Sequence, residues 1–224
     1  MQTLAMIHTG LVVIAPMKEL ANRHLPDVRI INYLDDRIVA DIGDAPQVPD
    51  PVKRRLELLG AAAVQAGADA ILFTCSSVSQ VAADVAASSR LPVYRIDEAM
   101  ADRAVQSGPR IGVIATLPTT LEPTCALIEE RAALASSTIT ITRRLEREAF
   151  ELLSAGDGEG HDRVVRGAIR ALQEESDVVV LAQASMARAL DGLHPTIPVL
   201  SSPELGMIRT KEHLTRLADD GRRA

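Results

Sequence analysis

An internal repeat of about 107 residues constrains the fold of this chain more than any other feature of its sequence. Thr116 follows Thr9 by 107 residues, and Asp177 follows Asp69 by 108. The repeated unit is too long for a solenoid, and each copy alternates apolar strand patterns with helical patterns. The sequence therefore predicts an α/β fold of two pseudo-symmetric half-domains from an internal duplication, each built on a parallel sheet.

The predicted boundaries follow from this repeat. We expect an N-terminal half over residues 1–98 and a C-terminal half over 99–202, with a final helix over 203–220 that packs back onto the first half. Two segments rich in Gly, Pro or acidic residues, 35–51 and 156–160, are predicted to be loops.

Parallel sheets bind ligands beyond the carboxyl ends of their strands, so two facing halves predict one site in the cleft between them. Polar residues of the loops at these strand ends are its candidate substrate-binding residues. They are His8, Thr9, Ser76, Ser77, Thr116, Thr119, Thr120 and Ser185. Each hydroxyl could instead cap the N-terminus of the following helix, which is a common role for Ser and Thr there.

Cys75 is the candidate catalytic residue. It ends the apolar stretch that begins at Asp69 and precedes a helical pattern, so it is predicted to lie where a strand ends and a helix begins. Unpaired backbone N–H groups gather at such a place and favour a thiolate or a bound carboxylate. The alternative is a small buried residue that only packs.

Composition excludes several classes of function. The net charge of −6, without a basic block, argues against nucleic-acid binding. The sequence lacks the run of about 18 apolar residues that a membrane helix needs. Its two cysteines show no disulfide pattern, which fits a reducing compartment, so we expect a cytoplasmic protein. The sequence has no metal-ligand spacing and no nucleotide-binding glycine motif, which predicts neither metal nor cofactor. A homodimer is the expected assembly.

The segments Phe73-Thr-Cys-Ser-Ser77 and Ile114-Ala-Thr-Leu-Pro-Thr-Thr120, in this order and spacing, resemble motifs of the aspartate/glutamate/hydantoin racemase superfamily. The resemblance covers nearly the whole chain. It implies a cofactor-independent enzyme in which two cysteines on opposite faces of the substrate carbon remove and supply the α-proton. On this resemblance Cys75 matches the first cysteine, and the place of the second is taken by Gln183.

Gln183 changes what the resemblance implies, because an amide forms hydrogen bonds but cannot exchange a proton in the useful pH range. Cys125 does not replace the second thiol, since it falls within a predicted helix and is expected to be structural. The expected enzyme acts on a small carboxylate, with Cys75 transferring a proton on one face and Gln183 giving hydrogen bonds. It would be a racemase-like isomerase or, as a close alternative, a decarboxylase. Arylmalonate decarboxylases resemble superfamily members that keep a single cysteine, although their cysteine occupies the position in the second half rather than the one in the first.

Two other functions stay open from the sequence. Cys75 could be the nucleophile of a hydrolase or acyl transferase, which would need His8 or His161 as a base. The protein could also bind a carboxylate without catalysis. His8 has the alternative of a polar strand-end residue satisfied by the backbone, and His161 that of a solvated residue at a helix start.

Overall fold

Two parallel four-stranded sheets form the framework of the computed structural model, which describes residues 1–43, 45 and 47–221. The strand orders are β2-β1-β3-β4 and β6-β5-β7-β8. The strands of the first sheet are β1 (Thr3–His8), β2 (Arg29–Leu34), β3 (Ala70–Phe73) and β4 (Val93–Arg95). Those of the second are β5 (Arg110–Ala115), β6 (Thr140–Leu145), β7 (Val178–Leu181) and β8 (Val199–Ser201). The predicted fold class, two α/β half-domains, is confirmed.

Helices connect the strands. In the first half and its C-terminal extension they are α1 (Ile14–His24), α2 (Ile38–Ile42), α3 (Asp50–Gln65), α4 (Ala82–Ser89) and α9 (Ser202–Gly221). In the second half they are α5 (Glu98–Ser107), α6 (Pro118–Leu134), α7 (Arg147–Ser154) and α8 (Gly158–Leu172). Short 3₁₀ helices cover Leu11–Val13, Ser76–Val81 and Ala184–Leu190. Among the described residues, none of the helices is long and apolar enough to span a membrane.

The chain divides into two compact units, residues 1–96 with the C-terminal segment from Pro203, and residues 97–202. In the first unit, Ala5 and Ile7 face one apolar layer, while Leu4 and Met6 face the other. This alternation is what a strand buried on both faces requires.

The two sheets have matching registers. Ile7 pairs with Phe73 in the first sheet, as Ile114 pairs with Leu181 in the second. Cys75 lies two residues after Phe73 of β3, and Gln183 lies two residues after Leu181 of β7. The two residues therefore occupy equivalent positions in the two sheets. All strands are parallel, so their carboxyl ends lie at one edge of each sheet.

Both predicted loops are partly helical. The segment 35–51 contains α2 and the start of α3, although its Asp44 and Pro46 lie outside the described residues. The segment 156–160 contains the first turn of α8, where the Asp157 carboxylate accepts the Gly160 N–H at 2.8 Å. Glycines in a sequence indicate a loop, but Gly158 allows close packing of α8. A Cβ on Gly158 would lie 2.8 Å from the Arg188 guanidinium.

Candidate active site

Cys75 follows β3 directly and precedes the 3₁₀ helix Ser76–Val81 in extended conformation, with φ −136° and ψ 127°. It is partly exposed, and it also packs against the apolar core of the first unit. A 3₁₀ helix, rather than the predicted α-helix, receives the chain, and α4 follows it. Val78 N–H donates to the Cys75 carbonyl at 3.4 Å, which closes the first turn.

Gln183 occupies the equivalent position in the second unit. It follows β7, precedes the 3₁₀ helix Ala184–Leu190, and has φ −129° and ψ 140°. Its Oε1 accepts the Thr116 backbone N–H at 2.6 Å and the Thr116 hydroxyl at 2.9 Å. A backbone N–H can only donate, so the atom facing it must be the amide oxygen. The Gln183 NH₂ group is therefore fixed in place, and no other described residue accepts a hydrogen bond from it.

The other hydroxyls of the second-unit loops divide into two kinds. Thr120 donates its hydroxyl to the Leu117 carbonyl at 2.9 Å. Thr119 lies in the first turn of α6, and its buried hydroxyl has no hydrogen-bond partner among the described residues. Thr116 donates its hydroxyl to Gln183, and the described start of α6 has no side-chain cap hydrogen bond. Ser185 follows Gln183 on the 3₁₀ helix.

Ser77 is the hydroxyl most in need of a partner in the first unit. It is 2% exposed, lies two residues after Cys75, and its Oγ has no hydrogen-bond partner in the described part of the chain. A buried polar atom left unpaired costs about 1–3 kcal/mol. Ser76, also buried, lies beside Ser77.

His8 and Thr9 lie at the end of β1, beside β3. His8 is fully buried, and its two ring nitrogens contact Thr74 Oγ1 and Asn32 Oδ1, each at 2.9 Å. Burial lowers the pKa of His8, an effect that the hydrogen bond to Asn32 opposes. The backbone alone does not satisfy this side chain. Its predicted contact with substrate stays a prediction, and the two occupied nitrogens point to another role.

His161 does not lie at a solvated helix start, and that expectation was wrong. It is fully buried in the first turn of α8, and its Nδ1 donates to Asp162 Oδ1 at 2.8 Å. Asp162 Oδ2 accepts from Arg188 Nε at 3.0 Å. The Nε2 of His161 is buried and has no partner among residues that the structure describes.

Cys125 lies within α6 and is fully buried, and burial raises the pKa of its thiol to about 11. Both observations fit the structural role expected for it. Sequence reasoning missed Asn32, although a polar residue within the apolar strand Arg29–Leu34 was a signal for it. Across the described ranges, no group of three or more His, Cys, Asp or Glu side chains is arranged to hold a metal ion.

The structure brings His8, Thr9 and Cys75 to the carboxyl edge of the first sheet, and Thr116 and Gln183 to that of the second. That these two edges serve one substrate stays a prediction.

Solved structures with the same fold include racemases and a decarboxylase. An aspartate racemase homologue from Pyrococcus horikoshii has a TM-score of 0.71 at 19% identity, covering 96% of this chain and 100% of that chain. A glutamate racemase from Francisella tularensis, solved with D-glutamate, has a TM-score of 0.67 at 16% identity, covering 96% and 81%. An arylmalonate decarboxylase has a TM-score of 0.60 at 19% identity, covering 93% and 92%. At such identities these likenesses establish the fold alone.

No curated protein sequence matches the chain. The sequence model of one family, Asp/Glu/Hydantoin racemase, matches residues 6–208. This match spans both β3 with Cys75 and β7 with Gln183, and it agrees with the resemblance carried by the two short motifs. The chain therefore belongs to the Asp/Glu/hydantoin racemase family.

Proposed function

We propose that the protein is a cofactor-independent enzyme that acts on a carbon acid next to a carboxylate, with Cys75 as its proton-transfer group. One observation carries this proposal: Cys75 and Gln183 occupy equivalent backbone positions, and Gln183 offers only fixed N–H donors. The family supports chemistry of this class. A thiol on one side and a neutral donor on the other suit proton transfer on a single face.

The donors have a defined electrostatic role in this proposal. Removing a proton or carbon dioxide from the α-carbon leaves an enediolate whose charge lies on the carboxylate oxygens. Fixed donors aimed at these oxygens stabilise the charge as it develops, without reorganisation. The Gln183 NH₂ and the unpaired Ser77 and Thr119 hydroxyls are our candidates for such contacts. Thr9, Ser76, Thr120 and Ser185 remain proposed substrate-binding residues.

A racemase-like isomerase is our leading reaction. The Cys75 thiolate takes the α-proton, and in a substrate whose enediolate is conjugated with a C=C bond the same sulfur returns that proton on the same face to the γ-carbon, as the double bond shifts toward the carboxylate. Gln183 has no titratable proton, so it does not serve the opposite face. This limits the enzyme to stereospecific isomerisation unless another acid–base group is present.

Decarboxylation is the close alternative, and the missing second thiol favours it. The bond from the α-carbon to one carboxylate breaks, and carbon dioxide leaves. The electron pair of the broken bond stays with the α-carbon and forms the enediolate of the remaining carboxylate. The Cys75 S–H then protonates the α-carbon. A single proton donor is sufficient for this reaction.

Nucleophilic catalysis by Cys75 has less support. It requires a base, but both His8 nitrogens are occupied and the free His161 nitrogen is buried. Binding of a carboxylate without catalysis remains the outcome to test against.

Proton NMR in D₂O tests the proposal. Wild type, Cys75→Ala and the matched control Cys125→Ala are each mixed with aspartate, glutamate, hydantoins, malonates and β-keto acids. We expect exchange or product formation in wild type and Cys125→Ala that is lost in Cys75→Ala. Loss of an α-proton signal from an otherwise unchanged carbon skeleton identifies an isomerase, and the appearance of signals from the acid that has lost carbon dioxide identifies a decarboxylase. Turnover that survives in Cys75→Ala would overturn the proposal. Ligand binding by wild type and Cys75→Ala, with no turnover by either, would also overturn it.

A further inference from the structure

Three polar side chains form a hydrogen-bonded chain across the carboxyl edge of the first sheet. Asn32 of the edge strand β2 is exposed, whereas His8 of β1 and Thr74 after β3 are buried. His8 Nε2 lies 2.9 Å from Asn32 Oδ1, and His8 Nδ1 lies 2.9 Å from Thr74 Oγ1. The chain therefore ends at the residue that precedes Cys75.

The direction of each hydrogen bond follows from what the atoms can donate. Asn32 Oδ1 only accepts, so His8 Nε2 must carry a proton. Burial lowers the pKa of His8, so the ring is neutral at pH 7 and Nδ1 is an acceptor. Thr74 Oγ1 lies 2.9 Å from Nδ1 and 3.1 Å from the Ile7 carbonyl oxygen. An unprotonated Nδ1 can only accept, so its hydrogen bond with Thr74 requires the hydroxyl to donate to His8.

The hydrogen bond from Thr74 to His8 anchors the backbone just beyond the end of β3. β3 ends at Phe73, and beyond it the Thr74 N–H makes one backbone bond, to Ile7 at 3.2 Å. The bond from Thr74 to His8 adds a side-chain anchor to a fully buried ring. Cys75 is the next residue, so its backbone direction depends on Thr74.

The second unit lacks this chain. The residues that match His8, Asn32 and Thr74 in strand register are Ala115, Arg143 and Ala182. The same fold therefore forms without these three hydrogen-bonded side chains, which are present in the unit that carries Cys75.

We propose that His8 is a positioning residue that acts through Thr74 to hold the turn at Cys75, rather than a group that touches the substrate. The proposal rests on the proposed function of Cys75 for its catalytic meaning, but its test does not require turnover. Asn32 fixes the His8 tautomer, and the tautomer fixes which way the Thr74 hydroxyl points.

Two substitutions separate the two hydrogen bonds of His8. In His8→Asn the side-chain amide reaches the place of Nδ1 and retains an acceptor for Thr74. In His8→Gln the amide reaches the place of Nε2 and retains only the bond to Asn32. Thr74→Val removes the hydroxyl itself, and Thr124→Val is the matched control, because Thr124 is fully buried in the second unit and has no hydroxyl partner there.

We measure the rate at which iodoacetamide alkylates Cys75 at pH 7.5 in the absence of substrate. Peptide mass spectrometry monitors the reaction. Loosening the turn exposes the partly buried thiol more often, so we expect alkylation at least about fivefold faster in His8→Gln and Thr74→Val. We expect His8→Asn and Thr124→Val to stay within about twofold of wild type. The double variant His8→Gln/Thr74→Val should match the single variants, because both remove one interaction.

A merely structural histidine would not produce this split. Equal rates in His8→Asn and His8→Gln, with both proteins folded by circular dichroism, would overturn the proposal. Nitrogen NMR of the wild type provides a second measurement, in which we expect the neutral His8 ring with its proton on Nε2. A proton on Nδ1 at pH 7 would also overturn it. If alkylation behaves as expected while Cys75→Ala still turns over substrate, the positioning stands and the proposed function fails.

Discussion

Replacement of Gly206 by Ala should displace the C-terminal helix α9 from the first unit. A Cβ built on Gly206 would overlap the Ile96 carbonyl oxygen, and would lie 2.7 Å from Ile96 Cδ1 and 2.9 Å from the carbonyl carbon. The carbonyl belongs to the backbone at the end of β4, so it cannot turn away as a side chain would. The helix must therefore move.

The net effect is a balance of two terms. Alanine in place of glycine within a helix stabilises by about 1 kcal/mol, whereas overpacking a tight contact costs about 1–3 kcal/mol. Moving α9 also disturbs Met207 and Leu214, which are buried against the sheet, so the cost lies at the upper end. We expect a net loss of about 2 kcal/mol in the free energy of unfolding, or a fall in Tm of about 4–8 °C for a chain of this length.

Gly167→Ala is the matched control, because Gly167 lies within α8 and a Cβ there would meet nothing within 4 Å. It should stabilise the protein by about 0.5–1 kcal/mol. Circular dichroism suits the assay, since the chain has no tryptophan. If Gly206→Ala melts at or above the wild-type temperature, α9 does not pack against Ile96 as described, and the reasoning is refuted.

Three further predictions concern the site. Gln183→Cys should add racemisation, seen by chiral chromatography of products, because it puts a thiol at the backbone position equivalent to Cys75; unchanged stereochemistry with retained turnover would contradict this. Iodoacetamide at pH 8 should label Cys75 and spare Cys125, whose pKa of about 11 leaves about one thiolate in a thousand; equal labelling of the native protein would contradict it. The pKa of His8 is lowered from 6.5 in the folded state, so the unfolded chain binds more protons below about pH 6.5. As the pH is lowered through this range, the free energy of unfolding should therefore decrease, by up to about 1.4 kcal/mol per pH unit, and less steeply in His8→Asn; urea unfolding measures it, and parallel curves for the two proteins would contradict it.

The repeat made most of the fold predictable. The repeat offset of 107 to 108 residues makes Gln183 the equivalent of Cys75 in the second copy. The backbone angles of the two residues agree with that correspondence. Such periodicity is local information, repeated twice along the chain. Strand patterns and helix patterns could therefore be read from each copy separately.

The hydrogen-bond partners could not be predicted in this way. Asn32, His8 and Thr74 are up to 66 residues apart and meet only through the register of three strands, which composition does not reveal. His161 was misplaced for a related reason. The glycines before it indicate a loop, but Gly158 lies in α8 against Arg188, and the imidazole in the same turn is fully buried.

The position of α9 has a consequence for how the chain folds as it is made. The second unit is continuous, so all of it has been synthesised once residue 202 is added. The first unit begins at the N-terminus, but the sheet face bearing Leu4 and Met6 lacks Met207 and Leu214 until α9 leaves the ribosome. We therefore expect the unit that is synthesised second to be completed first, with an apolar face of the earlier one open to chaperones in the meantime.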